Sequence, residues 1–304
     1  MSVLAIIAAL VIEQWRPLGE RKSVSAALAA WSTWLERSFN GGERQHGIVA
    51  WLVAVVPPVL VAIVLHELLE AAGWIFALAF NVAVLYLTLG FRQFSHYFTD
   101  IQLAIKAGDI ERARSLLEQW RGASGVVRPR EEVIRLSIEE ALVAAHRHVF
   151  GVLLWYLILP GPSGAILYRL AAYLAGRWKH MPNFGRFADQ AFYVLDWPAV
   201  RLTAAAFALV GDFENTVYCW RTQARMWADA NAGVVLAAGA GAMGVRLGMP
   251  VQEVDGMQPR PELGVGDDAD GPFLDTTVGM LWRALVLWVV ILAAAALVAV
   301  VSRF

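Results

Sequence analysis

Asp196 and Arg201 stand inside an apolar stretch, AFYVLDWPAVRLTAAAFALV (191–210), that is long enough to cross the hydrocarbon core of a bilayer. Ionisable groups at that depth are costly and normally face a bundle interior or a wet cavity, where a partner or a ligand satisfies them. Five residues apart, the two lie about 140° from each other around a helix, so they do not share a face. Pro198 between them is placed to bend the helix and draw their side chains together. Two readings stand: a pair that fixes packing, or a pair that binds a ligand. Metal chemistry has less to work with. Cys219 is the only cysteine, which excludes an internal disulfide and a cysteine-based zinc cluster. His146 and His148 point about 200° apart on a helix and cannot share an ion without other donors, so a solvated or phosphate-facing helix end is expected there and no metal site.

The elements that must position these residues are helical and apolar. Of the 304 residues, 58% are hydrophobic and 17% charged, and the mean hydropathy is +0.53. Soluble domains run at about 45–50% apolar, so the fold class expected is an all-α polytopic helical membrane protein with a cytoplasmic helical region, and the lipid bilayer is its first partner. A net charge of −1 gives no reason to expect nucleic acid. Thirteen tryptophans suit anchoring at the headgroup level. The opening MSVLAIIAALVIEQWRP lacks a basic start and a small-residue cleavage site, and is kept as structure.

Gly47–Leu65, with Pro57-Pro58, and Trp74–Phe91, with Asn81, form the clearest transmembrane hairpin. The connection His66–Gly73 carries no Lys or Arg. The flanks carry Arg16, Arg21, Lys22, Arg37 and Arg44 before it, and Arg92, Lys106, Arg112, Arg114, Arg121, Arg128, Arg130 and Arg135 after it. Positive charge stays in the cytoplasm, so the flanks are placed inside and the tip outside. Residues 92–140 are then a cytoplasmic helical segment, with Asp109 as an N-cap. Pro160–Gly164 is a turn between two short apolar arms, with Ser163 capping the second, and reads as a hairpin dipping part-way into the membrane. Asn231 is expected to cap a Gly/Ala-rich helix. Residues 249–279 read as a flexible cytoplasmic loop and 284–301 as a C-terminal membrane anchor, within one integral-membrane domain, 1–304, that crosses its membrane several times.

Several blocks, in order, resemble the CobD/CbiB family of cobalamin-biosynthesis membrane proteins (adenosylcobinamide-phosphate synthase type), with AmpE-like features. Asn231–Gly248, NAGVVLAAGAGAMGVRLG, lines up with that family's Asn-Ala-Gly block and its Gly/Ala run ending in Gly-Val-Arg-Leu-Gly. AGDIERAR (107–114) is similar to its cytoplasmic AGDLxxAR helix, GVLLWYLILPGPSGAILYR (151–169) to its apolar hairpin, and RPELGVGDD (260–268) to its Arg-Pro-x-Leu-Gly-x-Gly stretch. Leu195–Thr203 resembles the start of its Pro-x-Arg-Leu-Thr helix, with LDW followed by Val-Arg-Leu nearer to AmpE.

The resemblance implies ATP-dependent joining of an aminopropanol derivative to the free carboxylate of adenosylcobyric acid, with Mg-ATP and a corrinoid substrate. The chain departs from the family at polar positions. His146-Arg147 stands where the family has Glu-Asn, Leu170–Gly176 where it has Asn and Asp, Asp229-Ala230 where it has Ser-Pro, and Val235-Leu236 where it has Pro-Glu. A site stripped of those groups holds Mg-ATP poorly, and weak ligase activity or none is expected. The polar positions that survive make the candidate ligand-binding set: Glu13, Asp196, Arg201, Asn231 and Arg246, with Asp267 and Asp268 behind them. The alternative is a non-enzymatic membrane signalling or regulatory protein of the AmpE kind, linked to β-lactamase induction.

Overall fold

The computed structural model describes residues 2–15, 22–122, 127–253 and 256–301. Helices dominate: α1 (Ser2–Trp15), α2 (Lys22–Phe39), α3 (Arg44–Ala72), α4 (Trp74–Thr88), α5 (Phe91–Lys106), α6 (Ile110–Arg121), α7 (Arg130–Ala145), α8 (Gly151–Ile158), α9 (Ser163–Trp178), α10 (Arg186–Val210), α11 (Phe213–Gln223), α12 (Ala230–Met243) and α13 (Gly271–Val301). A π-helical turn, His146–Phe150, joins α7 to α8. Among the described residues four runs are long and apolar enough to cross a membrane: Arg44–Ala72, Arg130–Ile158, Arg186–Val210 and Gly271–Val298. This is the architecture of a polytopic helical membrane protein.

Contacts divide the chain into two compact units, Met1–Gly90 with Gly151–Pro198, and Phe91–Phe150 with Ala199–Phe304. In the first, α1 packs on α4, α3 on α4 and α9, and α8 on α9. The α8–α9 hairpin is tight because Gly164 lies on the Trp155 carbonyl, where a Cβ would sit 1.8 Å from the oxygen. Pro57 and Pro58 lie within α3 without ending it, as membrane helices tolerate.

In the second unit α7 packs on α5, α6, α12 and α13, and α11 lies along α12. The small residues of α12 set that approach: a Cβ on Gly241 would meet the Asn215 carbonyl at 2.5 Å, and one on Gly239 the Leu142 side chain at 2.8 Å. Five short strands follow: β1 (Val245–Gly248), β2 (Val251–Glu253), β3 (Gly256–Gln258), β4 (Glu262–Leu263) and β5 (Asp267–Asp268). They form a three-stranded sheet in the order β4-β1-β5 and a two-stranded β2-β3 sheet. Leu247 sits opposite Leu263, and Arg246 opposite Asp268.

Several expectations change. His66–Ala72 is not a connection but the end of α3, which its Leu, Glu and Ala residues extend until Gly73 at φ 150° breaks it. Residues 249–279 are not a loop: they hold β2 to β5, and α13 begins at Gly271, well before the expected anchor start at 284. The signal missed is turn chemistry, since Gly248 (φ 77°) and Gly264 (φ 94°) let two-residue strands fold back on β1. The first arm of the 160–164 hairpin continues α7 and is full span length rather than half. Ser163 caps no N–H and instead donates to the Pro160 carbonyl at 2.7 Å. Asp229, not Asn231, caps α12, accepting from the N–H groups of Asn231 and Ala232 at 3.0 and 3.1 Å. The Asp109 cap is as expected, accepting from the Arg112 N–H at 3.0 Å.

Candidate functional site

The densest polar arrangement lies in the second unit, where the middle of α7 meets the small sheets. Glu139 is buried among Ser137, Ile138, Ala141 and Leu142. Its carboxylate takes the Arg260 Nη1 at 2.8 Å and Nη2 at 3.3 Å, and accepts the Gly248 N–H at 2.9 Å. The same guanidinium donates to the Gly248 carbonyl at 3.0 Å and the Met249 carbonyl at 3.1 Å. Its central carbon stands 5.0 Å from the Trp227 ring centroid. A buried carboxylate is tolerable only with partners of this number and geometry. The arrangement ties α7, the end of β1 and the β3–β4 connection to the turn before α12.

Three more guanidinium groups stand around it. Arg128 donates to Glu132, to the Gln252 carbonyl at 2.7 Å and to Glu253 at 3.0 Å. Arg121 reaches Glu140 and Glu253, each at 3.1 Å. Arg135 is different: its contacts are the Met249 sulfur at 3.1 Å and the Pro250 carbonyl at 3.4 Å. Its Nε is buried without a hydrogen-bond partner. Among the described residues no three of His, Cys, Asp or Glu gather as a metal site. Glu132, Glu139 and Glu253 each face a guanidinium. With each of these carboxylates held by a guanidinium, the donor set does not fit a Mg²⁺ ion.

The sequence-derived candidates are distributed rather than gathered. Glu13 and Asp196 are buried in the first unit. Asp196 accepts a short hydrogen bond, 2.6 Å, from the Tyr168 hydroxyl. The ring of Tyr168 fits because residue 151 is glycine: a Cβ there would stand 2.3 Å from its Cζ. Arg201 is half-buried on the part of α10 that belongs to the second unit, two residues before buried Thr203. Asn231 lies in the first turn of α12, while Arg246 lies in β1 beyond the Gly244 turn that ends the helix. Arg246 pairs across strands with Asp268 at 2.8 Å and Glu262 at 3.7 Å. Asp267 and Asp268 are the exposed β5.

His146 corrects another expectation. It is buried, not solvated, with its Nδ1 2.9 Å from the Thr203 hydroxyl. The next residue, Arg147, pairs with Asp229 at 3.0 Å. Glu139, Arg135 and Arg260 were not among the sequence candidates. Arg260 was within reach, as the first residue of the RPELG block, and Glu139 as a carboxylate between apolar positions of one helix.

Fold and site together define a polytopic helical membrane protein with a guanidinium-rich polar region on one of its units. A model of the CobD/Cbib protein family matches residues 6–272, most of the chain, and the chain belongs to that family. A cobalamin biosynthesis protein CobD of Stutzerimonas stutzeri is 32% identical over 301 residues, covering 96% of this chain and 97% of the relative. One of Chromobacterium violaceum is 36% identical over 222 residues, 71% of this chain and 70% of the relative. One of Mycobacterium tuberculosis is 34% identical over 209 residues, 64% and 63% of the two chains. No solved structure matches.

Proposed function

We propose that this chain acts in cobalamin biosynthesis from a bacterial inner membrane that it crosses several times, forming the amide between an aminopropanol derivative and the free carboxylate of adenosylcobyric acid. The observation that carries the reading is the end-to-end likeness to a relative named for cobalamin biosynthesis, 32% identical over 96% of this chain. These relatives all bear that name, so the regulatory alternative gains no support from them. Amide formation at the expense of ATP needs cations for phosphates and an enclosure that keeps water from an activated acyl group. The polar positions lost at His146-Arg147 and Leu170–Gly176 argue for a slow enzyme.

Expression in a bacterium lacking its own adenosylcobinamide-phosphate synthase tests this directly. Corrinoid-dependent growth is expected to return, more slowly than with the strain's own enzyme. No growth at all, with the protein abundant in the membrane fraction, would sink the ligation reading.

A further inference from the structure

We infer that α2 is a lipid-binding helix: its stacked Trp31–Trp34 pair lies at the level of the lipid headgroups, and the basic end of the first unit beside it takes anionic phospholipids. The inference rests on the membrane architecture and not on the ligation reading, so failed complementation leaves it standing.

The first unit has two chemically different ends. At one, His66 of α3 lies against the α8–α9 turn, where a Cβ on Gly161 would stand 2.4 Å from its ring. Residues 66–74 and 158–163, which make that end, include Glu67 and Glu70 and no Lys or Arg. At the other, Gly47 lies on the Phe184 carbonyl between α9 and α10, where a Cβ would stand 2.0 Å from the oxygen, and Arg44 donates to Gln190 at 3.0 Å. Residues 36–47 and 177–190 meet there. They carry five exposed cations, Arg37, Arg44, Arg177, Lys179 and Arg186, against three carboxylates, Glu36, Glu43 and Asp189. Glu36 is already held by Arg177 at 3.0 Å. From Gly47 to His66 α3 rises about 28 Å, close to the thickness of a hydrocarbon core, so the two ends fall at its two surfaces.

The approach of α2 to the basic end is ordered. The Ser32 hydroxyl is 3.3 Å from that of Tyr173, and Glu36 accepts from Arg177 at 3.0 Å and from the Trp178 Nε1 at 3.1 Å, so the numbering of α2 rises toward that end. Ser32 and Leu35 are buried. Trp31 and Trp34 are not: they are 41% and 48% exposed, with their rings stacked at 5.2 Å. Indole rings that keep this much surface are stabilised at the headgroup level, where the apolar body meets acyl chains and the N–H meets water. Arg37 follows Trp34 by about one turn toward the basic end. It is exposed, and among the described residues it makes no hydrogen bond or ion pair.

A pair of indoles followed by a cation matches the order of a leaflet surface, glycerol region first and phosphates beyond. Charge chooses the lipid. Each Lys or Arg near an anionic surface strengthens attachment by about fivefold, and a zwitterionic surface offers no such gain.

The test uses the full-length protein in detergent, titrated with phosphatidylglycerol or phosphatidylcholine brominated on the acyl chains, bromine being a contact quencher of indole emission. The emission of the pair is the difference between each protein and the same protein carrying Trp31→Phe with Trp34→Phe; if that variant does not fold, Trp34→Phe alone supplies the difference. Brominated phosphatidylglycerol is expected to quench the pair at a concentration at least about fivefold lower than brominated phosphatidylcholine. Arg37→Gln with Lys179→Gln is expected to lose most of that preference. Arg37→Lys with Lys179→Arg, and Arg112→Gln at an exposed arginine of the other unit, are expected to keep it. A pair that neither lipid quenches overturns the placement of α2. Equal quenching by the two lipids, a preference unchanged in Arg37→Gln with Lys179→Gln, or an equal loss in Arg112→Gln overturns the choice of anionic lipid.

Discussion

The pairing of Glu139 with Arg260 makes a prediction whose size follows from its surroundings. In Arg260→Leu the carboxylate, 7% exposed in the wild type, is left with the Gly248 N–H as donor. In Glu139→Leu the guanidinium keeps the Gly248 and Met249 carbonyls and the Trp227 face. Removing one partner of a buried pair costs about 3–5 kcal/mol, so Arg260→Leu belongs at the upper end and Glu139→Leu at the lower. In the double variant neither charge is stranded. What remains is the Gly248 N–H without its acceptor, a loss of about 1–3 kcal/mol, partly offset by two buried leucines. Simple addition of the singles gives about 6–10 kcal/mol, so the coupling between the sites is expected to exceed about 3 kcal/mol. Thermal unfolding of the four proteins in one detergent measures it. Additive losses would refute the claim that this pair is coupled and that it holds the β1 end against α7.

Three further outcomes follow from other positions. Tyr168→Phe keeps the ring beside Gly151 and removes only the hydroxyl that donates to Asp196; a hydrogen bond to a charged group is worth about 1.5–3 kcal/mol, and an unchanged unfolding midpoint would show that Asp196 does not rely on it. Cys219 is fully buried, and burial pushes its thiol above the ordinary range. A raised folded value means the stability it contributes is whole below the free-thiol value, near about 8.5, and is lost as the pH climbs through the folded value. Its alkylation at neutral pH should therefore be slow until the protein is denatured, leaving cysteines introduced at Glu70 and Glu118 as the reactive ones. By the charge asymmetry they are expected to label from opposite sides of the membrane, and labelling of both from one side would remove that topology.

Long apolar runs made the helical membrane architecture legible, because twenty consecutive apolar residues have few other solutions. Caps were legible where the carboxylate lies next to the first turn, as at Asp109, and misread where two candidates stood close together, as at Asp229 and Asn231. The sheets were not legible. Strands of two to four residues carry no period, and what defines them is backbone freedom at Gly248 and Gly264 together with pairing to a distant β1. The Glu139–Arg260 pair was hidden for a related reason: its partners are 121 residues apart and meet only once those turns have formed.

This changes what the shared blocks mean. The Gly-Val-Arg-Leu-Gly and Arg-Pro-x-Leu-Gly-x-Gly runs look like ligand-binding motifs in the sequence, yet in the fold they build one another. Gly264 and Gly266 lie where a Cβ would strike the Val245 and Gly244 carbonyls at 2.1 and 2.3 Å, Gly248 lies against the Pro261 carbonyl, and Arg246 spans Glu262 and Asp268 across the strands. Such residues are held in place by packing whether or not the protein turns over a substrate, so their presence speaks for the fold more than for activity. Function has to be sought where a polar group is left unanswered by the fold itself. Glu139 is answered by Arg260, whereas Arg121, Arg135 and Arg246 each keep one buried nitrogen without a hydrogen-bond partner.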